Sequence, residues 1–193
     1  MPEPRADTAH ALFGRSAADP AGAVSMIREA SRPRSPLPTD VASRPTPLPE
    51  LRAVLFDVYG TLFVSGSGDV GAAMKRGSAG QFSAAREEAA GAGTRLGEAA
   101  QAGGGLGGAA RAAYFATISY FHDSSRKAGI DHPEVDIREV WTEVCLRLVD
   151  SGFLARVPDH GTIETIALTH ELLSNPVWPM PEARESPGAL RDR

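Results

Sequence analysis

An apolar run that ends in an acid and a tight turn is the feature that most constrains this chain of 193 residues. Residues 53–56, Ala-Val-Leu-Phe, are continuously apolar, which is typical of a parallel strand covered on both faces. Asp57 follows this run, and Gly60 and Thr61 complete a short turn. Because ligands of open α/β sheets bind beyond the carboxyl ends of the strands, this order predicts an α/β fold with a carboxylate that points into a crevice.

The segment Asp57-Val58-Tyr59-Gly60-Thr61 resembles motif I of the haloacid dehalogenase-like (HAD) hydrolases, in which an apolar strand precedes Asp-x-Asp-Gly-Thr or a close variant. The resemblance implies a Rossmann-type α/β core with an inserted helical cap. It also implies that Asp57 is a catalytic nucleophile that attacks phosphorus or an alkyl carbon and forms a covalent intermediate. Tyr59, Gly60 and Thr61 would then bind the substrate. The alternative is that Asp57 only caps the turn, as aspartate often does.

Tyr59 occupies the position at which the phosphatases of this family carry a second aspartate, which protonates the leaving group. Tyrosine is a poor proton shuttle near neutral pH, and the family's 2-haloacid dehalogenases also carry tyrosine here. The substitution favours displacement of a halide, which needs no proton, although a phosphate ester stays open as substrate. For a phosphate, the resemblance implies Mg²⁺ held by Asp57 and the Tyr59 backbone carbonyl, whereas a dehalogenase would use no metal.

The sequence after Thr61 lacks the remaining motifs of the family. These are a strand-end Ser or Thr, a lysine and an acidic cluster for magnesium, but Lys75 and Lys127 both lie in the predicted cap, and no apolar strand ends in adjacent acids before Arg193. We therefore expect the N-terminal portion of a larger hydrolase, inactive by itself. The alternative is a catalytically inactive remnant, or a half-domain that needs a complementing chain to supply the rest of the core.

The first 71 residues divide into two regions. Residues 1–50 contain nine of the 15 prolines and as many acidic as basic residues, which predicts a disordered tail with one possible short helix near residues 21–30. Residues 51–71 would form the first core strand, the nucleophile loop and a glycine-rich flap. Gly66 to Gly71 matches Gly-x-Gly-x-x-Gly, but no amphipathic helix and second strand follow, so a dinucleotide site is not favoured.

Residues 72–173 are predicted to form the cap, followed by a return to the core over residues 174–193. Within the cap, the Ala/Gly-rich segment 91–108 has the composition of a linker, and residues 109–173 have helical periodicity. The predicted helices are Ala109–Ala128 with Tyr114, Ile118 and Phe121 near one face, Asp136–Asp150 with Ile137, Val140, Trp141, Val144 and Leu148 in one stripe, and Thr162–Ser174 with Ile163, Ile166, Ala167 and His170 aligned.

Net charge and apolar content argue against a nucleic-acid-binding or membrane-spanning protein. A net charge of −4 lacks the basic surplus of a nucleic-acid binder, and no apolar stretch has the length of a membrane span or signal peptide. We therefore expect a cytoplasmic protein that acts on a small molecule. The lone Cys145 lies in an apolar helical pattern, which favours a core residue over a reactive thiol.

Overall fold

The computed structural model describes residues 17–38, 40–42, 44, 52–66, 105–186 and 188. This part of the chain is mostly helical with a two-stranded antiparallel sheet, which is compatible with an α/β or a mostly-α class. None of the helices within it is long and apolar enough to cross a membrane. The elements in chain order are α1 (Pro20–Ala30), β1 (Phe63–Ser65), α2 (Leu106–Lys127), α3 (Ile137–Asp150), α4 (His160–Ser174) and β2 (Val177–Pro179).

Helices α2, α3 and α4 share one hydrophobic core. Helix α3 contacts both of the others, and its Val140 and Val144 are completely buried. The stripes predicted for α3 and α4 are confirmed, because nearly all of their apolar members are buried and the rest pack against the core. The buried core consists of Leu106, Ala110, Tyr114, Val140, Trp141, Val144, Cys145, Leu148, Leu154, Ile163, Ile166 and Ala167.

Aspartate side chains set where two of these helices begin. Asp136 precedes α3 as predicted, and its Oδ1 accepts a hydrogen bond of 2.8 Å from the Arg138 N–H. Helix α4 begins two residues before the predicted start, because Asp159 is its N-cap and accepts a bond of 2.9 Å from the Thr162 N–H. Both carboxylates satisfy a backbone donor that the first helical turn leaves without an intrahelical partner.

Helix α2 extends into the segment that composition predicted to be a linker. It begins at Leu106, so residues 106–108 are helical although two of them are glycines. Leu106 is buried in the core, and this burial offsets the low helix propensity of the glycines. At the other end, Gly129 adopts a φ of +88°, the left-handed conformation expected of a glycine after a helix.

Strands β1 and β2 hold the segment that follows the Asp57 loop beside the segment that follows α4. They pair antiparallel with Phe63 opposite Pro179, Val64 opposite Trp178, and Ser65 opposite Val177. Residues 177–179 lie in the predicted return segment, but a strand at this position was not expected. Each strand has only three residues, so side-chain contacts between them have to support the pairing.

The predicted strand at residues 53–57 is not observed. These residues have no strand assignment, and the Leu55 side chain is 97% exposed. The strand instead begins at Phe63, after the turn, where β2 provides a hydrogen-bonding partner. A strand forms where a neighbouring backbone satisfies its N–H and C=O groups, and the described part of the chain offers residues 53–57 no such neighbour.

Helix α1 confirms the short helix predicted near residues 21–30, within a region otherwise predicted to be a disordered tail. Pro20 occupies its first position, and the Asp19 carboxylate accepts hydrogen bonds of 2.9 Å from the Ala21 and Gly22 N–H groups. Met26 is completely buried beside α4. Residues 1–16, the predicted flap at residues 67–71 and the linker at residues 91–104 lie outside the described residues.

Candidate functional site: the Asp57 loop

The loop from Asp57 to Thr61 brings two of the predicted site residues together. The Thr61 hydroxyl donates to Oδ2 of Asp57 at an Oγ1–Oδ2 distance of 3.4 Å. This is long for a hydrogen bond between a hydroxyl and a carboxylate, which usually spans about 2.5–3.0 Å. The contact is therefore weak, and the Asp57 carboxylate remains exposed to solvent.

Backbone hydrogen bonds close this loop into a tight turn. The Leu62 and Phe63 N–H groups both donate to the Val58 carbonyl at 2.9 Å, and the Gly60 N–H donates to the Phe63 carbonyl at 2.7 Å. Gly60 has a φ of +89°, a conformation in which a side chain would be strained. Glycine at this position thus permits the turn, and its N–H is engaged within the loop rather than directed at a ligand.

The site residues lie at the surface. Asp57, Gly60 and Thr61 are exposed, and the Tyr59 side chain is 54% exposed. The backbone of Tyr59 pairs with that of Phe63 in a single β-bridge, so Tyr59 lies beside the start of β1. A carboxylate in this position is hydrated, and hydration lowers its reactivity as a nucleophile until a substrate or another surface displaces the water.

The described residues place few charged groups around Asp57. In the part of the chain that the structure describes, neither a lysine nor an arginine forms an ion pair with Asp57. The acids in the same residue ranges also form no group of three or more potential metal ligands. Asp57 and the Tyr59 carbonyl would offer Mg²⁺ only two protein oxygens, so these residues alone do not make a magnesium site.

A second pair of polar side chains joins the two strands next to this loop. The Ser65 hydroxyl donates to Oδ1 of Asn175 at 2.6 Å, and the Gly66 N–H donates to the Pro176 carbonyl at 2.9 Å. The Met180 N–H donates to the Leu62 carbonyl at 2.9 Å. Sequence reasoning placed Asn175 and Pro176 in the return segment but did not pair them with Ser65 and Gly66, since no local pattern reports a contact across more than 100 residues.

Three aromatic rings from different helices meet inside the helical core. The ring centroid of Tyr114 lies 4.7 Å from that of His170 and 5.5 Å from that of Trp141. Burial, together with the nearby Glu171 carboxylate, raises the pKa of Tyr114 far above its ordinary value. These side chains are buried away from solvent, so they serve as packing anchors, as the helical stripes predicted for Trp141 and His170.

Comparison with known proteins finds no relative. No protein-family model matches the chain, no curated protein matches it, and no solved structure matches it.

Proposed function

We propose that this chain is the nucleophile-bearing portion of a HAD-like hydrolase, with Asp57 as the nucleophile. The observation that carries the proposal is the Asp57 loop, in which a turn through Gly60 presents an exposed carboxylate with the Thr61 hydroxyl 3.4 Å away. Both residues belong to the Asp57–Thr61 segment that resembles motif I. A carboxylate that carries no ion pair has its oxygen lone pairs available to a substrate.

The proposed reaction is a double displacement. An Asp57 carboxylate oxygen attacks the phosphorus of a phosphate ester or the halogen-bearing carbon of a haloacid, and the alkoxide or halide leaves with the bonding electron pair, the alkoxide then taking a proton from water. Water cleaves the resulting acyl phosphate or ester, which releases phosphate or a hydroxy acid and restores the Asp57 carboxylate. A halide needs no proton to leave, so Tyr59 in place of an acid favours the haloacid class, while a phosphate ester stays the second substrate class.

The proposed enzyme needs groups beyond the Asp57 loop. A cation beside Asp57 would stabilise the charge that develops in the transition state, and this electrostatic contribution is usually the largest one in catalysis. If the substrate is a phosphate, Asp57 and the Tyr59 carbonyl would supply part of a magnesium site, and further acids would have to complete it. The metal would neutralise the charge of the phosphate.

We propose that a complementing polypeptide supplies these groups by pairing with residues 53–58. Val54, Leu55, Phe56 and Val58 are all exposed. Within the described part of the chain, residues 53–57 have no strand partner, and a segment that lacks a strand partner and exposes apolar side chains is a template for an added strand. The rest of a parallel sheet would cover both faces of this segment and surround Asp57.

The alternative is a catalytically inactive remnant. The observation that favours it is the same exposed carboxylate, because the described residues give Asp57 neither a cation nor protection from water, and both belong to the environment of an active nucleophile. Under this alternative, adding the missing core restores a fold but no turnover.

The test is turnover with and without a complementing core. The chain is purified alone and after co-expression with the remaining core of a full-length HAD-like enzyme, and both samples are assayed with p-nitrophenyl phosphate and 2-chloropropionate. We expect no turnover from the chain alone and turnover from the complex. Asp57→Asn should abolish that activity, whereas Asp131→Asn, which changes an exposed aspartate of the loop between α2 and α3, should retain it. A well-folded complex without turnover would favour the inactive remnant.

A further inference from the structure

Helix α1 packs on α4 through a small interface of its own. Met26 and Ala30 are buried, and the partly buried residues around them are Ala17, Leu168 and Leu172. This cluster is separate from the core shared by α2, α3 and α4. The attachment of α1 therefore rests on few apolar contacts, and hydrophobic stabilisation is roughly proportional to the area buried.

One hydrogen bond joins the segment before α1 to α4, and a second bond within α4 orients its acceptor. The Ala17 N–H donates to the Thr165 Oγ1 at 2.8 Å, and the same hydroxyl donates to the Gly161 carbonyl at 2.8 Å. A Cβ on Gly161 would lie only 2.6 Å from the Cβ of Ala18. The absence of a side chain at Gly161 thus lets the segment before α1 lie directly against α4.

The ends of α1 are satisfied by its own neighbours in sequence. Asp19 caps the N-terminus, and the Ser31 hydroxyl and backbone N–H both donate to the Ile27 carbonyl, at 2.7 and 2.9 Å. These bonds at the two ends of α1 involve no group of α4. An isolated helix of 11 residues is nevertheless only marginally stable in water. Protection of the α1 amides from exchange therefore indicates that the helix is docked.

From these contacts we propose that α1 is a releasable strap on α4. The strap detaches as a unit, without unfolding of the α2–α4 core, and uncovers a helix-docking face formed by Gly161, Thr165, Leu168 and Leu172. These four residues recur at helical spacing along one side of α4. The resemblance to HAD-like hydrolases does not imply a docked helix of this kind.

The test is amide hydrogen exchange of the full chain, read by mass spectrometry over residues 20–30 and over α2, α3 and α4. In Gly161→Ala, the added Cβ meets that of Ala18, so we expect exchange over residues 20–30 to be about tenfold faster while α2–α4 keep their protection. Alanine is a better helix former than glycine, so a loss of strap protection cannot come from a weaker α4.

A rescue variant and a control complete the test. Ala18→Gly combined with Gly161→Ala removes the clash, because the nearest remaining atoms lie at 3.5 and 3.6 Å, and should restore protection of residues 20–30. Gly108→Ala in α2 adds a Cβ that meets nothing within 4 Å and should leave residues 20–30 unchanged.

Two outcomes would overturn the proposal. Unchanged exchange of residues 20–30 in Gly161→Ala would show that the strap is not held at this contact. Equal acceleration over residues 20–30 and α2–α4 would show that α1 is an integral part of the core. Met26→Ala provides a second test that leaves the sequence of α4 unchanged. Loss of this buried side chain should accelerate amide exchange in the strap alone.

Discussion

The Ser65 hydroxyl donates a hydrogen bond of 2.6 Å to Oδ1 of Asn175, a residue 110 positions further along the chain. The bond joins the last residue of β1 to the residue that follows α4, next to the pairing of β1 with β2. The C-terminal end of α4 is thereby held beside the segment that follows the Asp57 loop.

Gly66→Ala should open the contact between the two strands. A Cβ at Gly66 would lie 2.8 Å from Cγ of Pro176 and 2.9 Å from its carbonyl oxygen, and neither the proline ring nor the backbone can easily move. We expect a loss of about 1–3 kcal/mol in the free energy of unfolding, with faster exchange over residues 177–179. Denaturant unfolding and hydrogen exchange measure both effects. Stability equal to that of Gly108→Ala, whose Cβ meets nothing, would contradict the close approach.

Asp136 should contribute a pH-dependent part of the stability. Hydrogen bonds from the Arg138 side chain, followed by one from its backbone, lower the pKa of Asp136 from 3.8 to about 2. Because the folded pKa lies below the unfolded value, the contribution is fully present above about pH 4 and is lost as the pH falls toward 2. Urea midpoints measured across this range should therefore converge between the wild type and Asp136→Asn. A constant difference between them down to pH 2 would refute the assignment.

Cys145 should be inert to thiol reagents in the folded chain. Its side chain is buried in α3, and burial raises the pKa of the thiol to about 11, so little reactive thiolate exists at pH 8. Labelling with 5,5′-dithiobis(2-nitrobenzoate) should be slow in buffer and fast in denaturant. Fast labelling of the folded protein would place Cys145 outside the core.

Alanine substitutions at Leu148 and Leu146 should distinguish the buried face of α3 from its exposed face. Leu148 is 5% exposed within the core, whereas Leu146 is 43% exposed on the same helix. We expect Leu148→Ala to lower the free energy of unfolding by about 2–5 kcal/mol through loss of burial and creation of a cavity. Leu146→Ala should stay within about 0.5 kcal/mol of the wild type. Similar losses in the two variants would contradict the orientation of α3.

Residues 53–58 should exchange rapidly in the isolated chain and become protected in a complex with the complementing core. Leu55 is almost fully exposed, and these residues have no strand partner in the described part of the chain. Pairing with a strand would satisfy their backbone groups and cover their apolar side chains. Hydrogen exchange of the two samples compares these states. Strong protection in the isolated, monomeric chain would show that no second polypeptide is needed.

Local patterns in the sequence were sufficient to predict the three helices of the core, although α2 begins three residues and α4 two residues before the predicted starts. The apolar spacing from Ile137 to Leu148 determined both the helix and its buried face, because one side of a helix has to be withdrawn from water. Gly129 likewise marked the end of α2, since only glycine adopts its positive φ without strain. The sequence also joined Asp57, Gly60 and Thr61 in one turn, because they are neighbours in the chain.

Tertiary structure alone decided which segments became strands and where α1 docks. Residues 53–57 have the composition of a buried strand, but Phe63–Ser65 form one because Val177–Pro179 lie beside them. Burial of Leu106 in the core extends α2 over two glycines. The absence of a side chain at Gly161 lets Ala18 pack against α4. A helix satisfies its backbone hydrogen bonds within its own sequence, whereas a strand or a docked helix depends on a distant partner that local sequence does not identify.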